Sequence, residues 1–167
     1  MLKHILLCVG VFGSVYGASL SASEAGEFGT PDEAQAMLKR AVVEVKKDKL
    51  AAIESFNHND KSFRDRDLFV FCFDGSDGKF TAHEALVTHD VREFRDSNRA
   101  PVGEEMYNTA QQGRISEVVY IAPLPGSTEL AMKSAYVTRI GDQVCGVSAY
   151  QVDFLTKSVK IAQPQRW

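Results

Sequence analysis

The residues most able to do chemistry lie in one stretch, Phe69 to His83, which reads FVFCFDGSDGKFTAH. It combines a cysteine, two Asp-Gly pairs and a histidine. Such a set could form a metal-binding loop, a redox or catalytic corner, or only a turn between two strands. Each alternative predicts a different class of protein, and the spacing of the residues distinguishes them.

The spacing disfavours a metal site. A calcium-binding EF-hand loop has a glycine at its sixth position and a glutamate at its twelfth, but counting from Asp74 these positions hold Lys79 and Ala85. A helical zinc motif has two histidines four residues apart, whereas His89 is six residues after His83. Because glycine supplies the positive φ that tight turns need, the Asp-Gly pairs favour a hairpin turn.

The sequence motifs of common enzymes are also missing. The chain has no Gly-x-Ser-x-Gly nucleophile motif, and no glycine-rich loop joins a strand to a helix as phosphate binding requires. Neither Cys72 nor Cys145 belongs to a Cys-x-x-Cys pair, which disfavours thioredoxin-like and covalent-haem chemistry. We therefore expect no enzyme activity, no catalytic residue and no cofactor.

The composition indicates one soluble domain. At 167 residues the chain can bury one core, and 44% hydrophobic with 25% charged residues is an ordinary globular composition. The formal net charge is −3, and the sequence has no basic stripe that could displace counterions from a phosphate backbone. Nucleic acid is therefore not an expected partner.

The first 18 residues, MLKHILLCVGVFGSVYGA, predict a cleaved secretory signal peptide. A lysine near the start, a short apolar run and small residues at the end are typical of such signals. A cut after Gly17 or Ala18 fits best and a cut after Ala22 is the latest alternative; the other interpretation is a buried N-terminal helix. Residues 19–29 would then be the flexible leader of an exported protein, periplasmic or secreted, without a membrane anchor.

Export changes the interpretation of the cysteines. Cys8 would be removed with the signal, which leaves Cys72 and Cys145 in a compartment where disulfides persist. Each lies in an apolar segment, which is a poor setting for a reactive thiolate. We predict a Cys72–Cys145 disulfide, with two buried reduced thiols as the alternative.

The elements that would position these residues are predicted from caps and hydrophobic spacing. Thr30, Pro31 and Glu33 form a helix start, and apolar residues at helical spacing predict one helix from about Pro31 to about Phe56. A short helix is predicted to open at Pro101 and close at Gly113. Five segments have the aromatic and β-branched content of strands: LFVFCF, KFTAH, RISEVVYIA, LAMKSAYVTRI and QVCGVSAY.

The order of these elements predicts an α+β domain with an antiparallel sheet. The long helix comes first, followed by two strands, a helical crossing and a three-strand meander. Gly141 and Asp142 join the last two strands, which is the signal of a two-residue hairpin. The domain would span residues 30–150, and the pattern of residues 151–167 is ambiguous.

Three segments together resemble the single Cache domain proteins, which are PAS-like extracytoplasmic sensor modules, and especially their small exported members. The segments are EFGTPDEAQAMLKRAVVEVKKDK, DRDLFVFCFDGSDGKFTAH and GEEMYNTAQQGRISEVVYIAPLPGSTELAMKSAYVTRIGDQVCGVSAY. The resemblance implies a long N-terminal helix packed on a five- or six-stranded antiparallel sheet. Short helices and loops would cover the other face of the sheet and enclose a pocket for a small molecule.

The resemblance also suggests ligand-binding residues. Lys133 and Tyr136 match a lysine and a tyrosine on the penultimate strand of the family. Tyr120 matches an aromatic residue before a proline-rich turn, and His83 matches the histidine that ends the second strand. Residues three apart on a strand point to opposite faces, so Lys133 and Tyr136 cannot share a pocket unless a bulge intervenes.

Lys133 is the expected counter-charge for an anionic ligand, with Tyr120 and His83 as polar or stacking walls. The alternative is an exposed lysine and two core aromatic residues. The sequence departs from the family pattern at two places, which weakens the expected pocket. Ala122 and Leu124 stand where relatives often carry a tryptophan and an arginine. The Asn-Pro and Gly-Lys that usually follow the histidine matched by His83 are absent. The ligand would then differ from that of relatives, or binding would be lost.

The leading hypothesis is an exported sensory module that binds a small, carboxylate-bearing metabolite and signals through a separate membrane receptor or kinase. The second hypothesis is an accessory subunit of a membrane sensor or another periplasmic complex, with no ligand. A third is an α+β cone-shaped enzyme, which would need a histidine–acid pair in the pocket.

Overall fold

The computed structural model describes residues 28–58 and 60–151. The predicted signal peptide (1–18), most of the predicted leader and residues 152–167 lie outside the described residues. Phe28 and Gly29, the last two residues assigned to the flexible leader, instead pack against the domain. The Phe28 ring contacts the Tyr150 ring with centroids 5.5 Å apart, and the Gly29 N–H donates to the Asp67 carboxylate.

The helix start predicted at Thr30 is confirmed. The Thr30 hydroxyl accepts from the Glu33 N–H at 3.2 Å, and the Glu33 carboxylate accepts from the Thr30 N–H at 2.7 Å, which completes a capping box. The helix that begins here, α1, is Pro31–Lys47. Its buried side chains recur at helical spacing and pack on the sheet: Ala34, Met37, Leu38, Ala41 and Val45.

The prediction of a single helix as far as Phe56 is wrong, because the chain breaks at Asp48. Asp48 has an extended backbone (φ −153°), which ends α1. Its carboxylate accepts from the Ala51 N–H at 3.1 Å and caps a second helix, α2, at Lys49–Asn57. The lapse in apolar spacing at Lys49 is the sequence signal of this break.

An antiparallel sheet follows the helices. Its described strands are β1 Arg64–Asp65, β2 Leu68–Asp74, β3 Phe80–Ala82, β4 Ser116–Pro123, β5 Leu130–Ile140 and β6 Gln143–Tyr150. They form one six-stranded sheet in the order β1-β2-β6-β5-β4, with β3 paired to the far end of β2. The α+β architecture and the predicted hairpin at Gly141 and Asp142 are confirmed. The sequence pattern does not indicate β1, which is only two residues long.

The two Asp-Gly pairs form the predicted turn between β2 and β3. The Asp74 carboxylate accepts from the backbone N–H groups of Ser76 and Asp77 at 2.7 and 3.3 Å. Gly78 has φ +77°, a conformation that favours glycine. In residues 28–58 and 60–151, no group of three histidine, cysteine or acidic side chains is arranged to hold a metal ion.

Side chains alternate between two cores, one on each face of the sheet. The core beneath α1 and α2 includes Val70 and Val147, whereas the core on the opposite face includes Phe71 and Phe73. We call the second one the aromatic core. The alternation along β2 separates the structural packing of the helices from the face that contains the cavity described below.

Cys72 and Cys145 form the predicted disulfide. They face each other across the β2–β6 pair, and their sulfurs are 2.10 Å apart. Both residues are fully buried in the core beneath the helices. The bridge therefore lies on the face of the sheet away from the aromatic core and joins two central strands.

The aromatic core is covered by the chain between β3 and β4. This cover contains a 3₁₀ turn at Val91–Glu93 and a helix, α3, at Val102–Thr109. Pro101 precedes α3 as predicted, but the helix ends at Thr109 and not at Gly113, which lies in a later turn with φ +74°. Among the described residues, no helix is long and apolar enough to cross a membrane.

Gly103 allows α3 to pack closely on the 3₁₀ turn. A Cβ at this position would lie 1.7 Å from the Val91 carbonyl oxygen and 2.8 Å from the Phe94 Cβ. Because the first of these atoms belongs to the backbone, Gly103→Ala has to displace α3 from the turn. We expect the free energy of unfolding to fall by about 1–3 kcal/mol.

Urea denaturation measures the effect of Gly103→Ala. Asn108→Ala, on an exposed position of the same helix, is the matched control and should be close to wild type. Equal stability of the two variants would contradict the role assigned to Gly103.

Candidate functional site

A cavity of about 50 Å³ lies in the aromatic core, between the sheet and its cover. Its walls are mostly apolar, and they are formed by Phe69, Phe71, Phe80, His83, Phe94, Met106, Tyr120, Lys133 and Ser148. The volume has room for roughly four non-hydrogen atoms. The cavity therefore suits the apolar part of a small organic molecule.

Three of the four predicted ligand residues line this cavity together. Tyr120 on β4 and Lys133 on β5 are directly opposite each other in the strand register. His83 comes directly after β3 and reaches the same cavity. The structure thus brings together three residues that are far apart in the sequence.

Tyr136, the fourth predicted residue, does not line this cavity. It belongs to the core beneath the helices, and its hydroxyl donates to the Glu117 carboxylate at 3.3 Å. The pairing of β4 with β5 is regular, so Tyr136 and Lys133, three residues apart, point to opposite faces. The suggested ligand role of Tyr136 is therefore not supported by its position.

Lys133 is flanked by a tyrosine on each neighbouring strand. Register pairs it with Tyr120 on β4 and with Tyr150 on β6. The Lys133 Nζ lies 4.3 Å from the centroid of the Tyr150 ring, a cation–π contact. The Tyr150 hydroxyl donates to the Pro123 carbonyl, which fixes the ring beneath the ammonium.

Sequence reasoning missed Tyr150, although the Gly141–Asp142 hairpin contains the signal that locates it. A two-residue turn pairs the residues on either side of it, Ile140 and Gln143. Counting equally far along both strands pairs Lys133 with Tyr150. The phenylalanines of β2 were missed as well; they alternate along the strand, which indicates that they share one face.

Lys133 is a largely buried lysine that forms no ion pair with another described residue. The residue is 9% exposed, and no described residue provides a hydrogen bond or ion pair to its ammonium. Burial lowers the pKa of Lys133, whereas the negative charges of Asp67 and Glu84 raise it. An anion bound in the cavity would compensate this charge directly.

Tyr120 and Ser148 add neutral hydrogen-bonding groups to the cavity wall. Burial raises the pKa of Tyr120 to about 12, and a hydrogen bond with Ser148 opposes this in part. The phenol therefore keeps its proton at neutral pH and can donate to an anion. The Phe94 ring packs edge-on against the Tyr120 ring, with centroids 6.1 Å apart.

His83 is part of the aromatic wall. Its ring packs edge-on against those of Phe80 and Phe69, with centroids 5.0 and 5.4 Å apart. Burial lowers the pKa of His83, and the charge of Glu84 opposes this only in part. The His83 Nδ1 accepts from the Ala85 N–H at 3.1 Å, which assigns the proton of the neutral ring to Nε2.

The lowered pKa of His83 predicts a loss of stability in mild acid. The histidine of the unfolded chain takes up a proton with a pKa near 6.5. The folded ring resists this proton, so protonation favours unfolding as the pH falls through that value. We expect the unfolding temperature of the wild type to fall between about pH 7 and pH 5.5, and that of His83→Phe to fall less.

Differential scanning calorimetry across this pH range measures the effect. His89→Phe removes an exposed histidine and should follow the wild-type curve. If the curves of the wild type and of His83→Phe are parallel, protonation of the half-buried His83 is not the cause.

A larger, charged groove adjoins the cavity. It has a volume of about 450 Å³ and shares Phe69 and Lys133 with the cavity. Its other lining residues are Phe28, Arg64, Arg66, Asp67, Glu84 and Pro125. Arg64 and Glu84 form an ion pair across it. Lys133 therefore lies at the junction between the apolar cavity and its polar entrance.

Comparisons with known proteins concern the fold. No family model and no curated protein matches the chain. A crystal structure of a methyl-accepting chemotaxis protein from Vibrio parahaemolyticus is similar, with a TM-score of 0.58 and 22% identity over 74% of this chain and 89% of that one. The periplasmic sensor domain of a chemotaxis protein has a TM-score of 0.50 and 21% identity over 72% and 89% of the two chains.

A third similar structure is that of a Cache chemosensory domain, solved to explain carboxylic acid recognition. It has a TM-score of 0.49 and 16% identity, over 72% of this chain and 87% of that one. This chain has the fold of the two chemotaxis proteins, in agreement with the Cache-like fold that the sequence resemblance implied. The expected architecture, with a helix on one face of the antiparallel sheet and short helices over the other, is confirmed.

The cavity of this Cache-like domain combines one ammonium group with neutral donors and aromatic rings. Carboxylates and cysteines are not among its lining residues in the described chain. Such a set can bind an anion with a short apolar tail.

Proposed function

We propose that this protein is an extracytoplasmic sensory module that binds a small carboxylic acid beside Lys133. The observation that carries the proposal is Lys133, a largely buried residue that lines an aromatic cavity and whose ammonium has no ion pair among the described residues. A charge in this position is destabilising unless an anion pairs with it. The site therefore favours an anionic ligand.

The remaining walls fit a carboxylate with a short apolar chain. The rings of Phe71, Phe80 and Phe94 surround the apolar space, and the Tyr120 hydroxyl can donate to the same anion as Lys133. The volume favours acids of roughly two to four carbon atoms. A charge-assisted hydrogen bond combined with apolar burial is a common way to bind such small ligands.

One sequence prediction and two observations support a location outside the cytoplasm. The prediction is the signal peptide, and the observations are the Cys72–Cys145 disulfide and the periplasmic origin of one protein with a similar fold. The two most similar folds described above come from chemotaxis proteins. We therefore propose that a membrane receptor or kinase receives the signal.

A thermal-shift panel tests the binding proposal. The protein is heated with acetate, propionate, butyrate or pyruvate, and in parallel with the uncharged analogues propionamide and 1-propanol. We expect at least one acid to raise the unfolding temperature with increasing concentration, because a ligand that binds only the native state stabilises it. If the neutral analogues stabilise the protein equally, it does not recognise the carboxylate and the proposal fails. If no compound of the panel stabilises it, the proposal also fails and an accessory subunit without a ligand is favoured.

A further inference from the structure

Asp67, which lines the charged groove, has a carboxylate oxygen without a hydrogen-bond partner among the described residues. Asp67 follows β1 in the tight turn to β2, and its Oδ1 accepts from the Gly29 N–H at 2.6 Å. Its Oδ2 is buried, and none of residues 28–58 and 60–151 donates a hydrogen bond to it. A buried, unsatisfied acceptor on a charged group is destabilising, and a hydrogen-bond donor from a ligand would remove that cost.

The turn presents Asp67 in a fixed position. Arg66, the residue before it, has φ +54°, a left-handed conformation that is unfavourable for a residue with a side chain. The Arg66 guanidinium donates to the Phe28 carbonyl at 2.8 Å and pairs with Glu33 at 2.7 Å. These contacts hold the turn against the start of α1, so the position of Asp67 does not depend on a ligand.

Asp67 and Lys133 line the same groove without forming an ion pair. The ammonium of Lys133 instead lies over the Tyr150 ring. The two side chains are near enough to interact through space, because the charge of Asp67 raises the pKa of Lys133. The groove thus has a cation and an anion among its lining residues, and these two charges are not paired with each other.

From this arrangement we infer that the ligand is a small zwitterion, with an ammonium group bound by Asp67 and a carboxylate bound by Lys133. The inference rests on the proposed function and specifies its ligand class. The carboxylate and the nitrogen lie at the junction of groove and cavity, and the apolar side chain enters the aromatic cavity. Each charge of the ligand pairs with an opposite charge of the protein.

Isosteric pairs of acids test the inference by isothermal titration calorimetry. The pairs are glycine with propionate, alanine with isobutyrate, and β-alanine with butyrate, in which a methyl group replaces the ammonium group. We expect the amino member of at least one pair to bind roughly 10- to 100-fold more tightly to the wild type, the range of a charge-assisted hydrogen bond.

Asp67→Asn is the matching variant, because asparagine keeps an oxygen that can accept from Gly29. It should remove the preference for the amino member and leave the affinity for the methyl analogue unchanged. Glu84→Gln removes a different carboxylate of the same groove, one that already pairs with Arg64. That variant should keep the preference.

The possible results separate the two proposals. If the wild type binds acids but prefers no amino member, the zwitterion inference is wrong and the carboxylate proposal stands. If Glu84→Gln loses the preference as fully as Asp67→Asn, the preference comes from the combined negative charge of the groove. The assignment of the ligand's ammonium group to Asp67 is then wrong. If no acid of either kind binds, both proposals fail. The wild-type comparison decides the inference even if a variant folds poorly.

Discussion

Replacing Lys133 with methionine is expected to remove carboxylate binding and to make the empty protein more stable. Methionine has a similar length, so it can fill the same space beside Tyr150 without a buried charge. The free energy of unfolding should rise by about 1 kcal/mol, as for other substitutions that relieve a functional strain. The affinity for the best acid should fall by about 10- to 100-fold, because a charge-assisted contact is lost.

Urea denaturation and calorimetric titration of Lys133→Met measure the two effects separately. Lys46→Met is the control, since it removes an exposed lysine of α1 and should change neither quantity much. A Lys133→Met protein that is clearly less stable and binds acids as the wild type does would show that Lys133 has a structural role. Opposite changes in stability and affinity are the signature of a binding residue.

Loss of the disulfide is expected to have the largest effect on stability. Cys72 and Cys145 are 73 residues apart in the sequence, so their bridge restricts a large part of the unfolded chain. Chain entropy alone gives about 4 kcal/mol for a loop of this length. The double variant Cys72→Ala, Cys145→Ala should therefore lose about 4 kcal/mol of unfolding free energy, less whatever structure the unfolded chain retains.

Urea denaturation with and without reductant measures this loss. Reductant should weaken the wild type and leave the double alanine variant unchanged, so the variant is its own control. Intact mass of the exported protein should show two hydrogens fewer than the reduced chain. Two free thiols in that protein, or a wild type that is insensitive to reductant, would contradict the bridge.

The parts of the fold that depend on near neighbours were predictable from the sequence. The capping box at Thr30 and the hairpin at Gly141 each involve residues a few positions apart, so their pattern is sufficient. The end of α1 at Asp48 was not predicted, because apolar spacing continues across it and only Lys49 departs from the pattern. A cap that ends one helix and begins the next leaves little trace in hydrophobic periodicity.

The residues of the candidate site were harder to predict from the sequence than the fold was. Residue types alone do not predict that His83 lies near Tyr120 and Lys133, because this proximity depends on which strands are neighbours in the sheet. The resemblance to Cache domains was the basis for grouping the three residues. Asp67 was missed within a charged segment. Its unusual state depends on Gly29, Lys133 and the burial of one oxygen, and no local pattern contains them.

The ionisation of Lys133 tests the central claim most directly. Nuclear magnetic resonance of ¹³Cε-labelled lysine gives its titration curve, and the signal absent from Lys133→Met identifies the residue. In the empty protein the pKa should lie below that of an ordinary lysine, because of burial. Saturation with the most stabilising acid of the panel should move the pKa upward, because a paired anion favours the charged form. A Lys133 titration that is the same with and without that acid would contradict the claim that Lys133 binds the carboxylate.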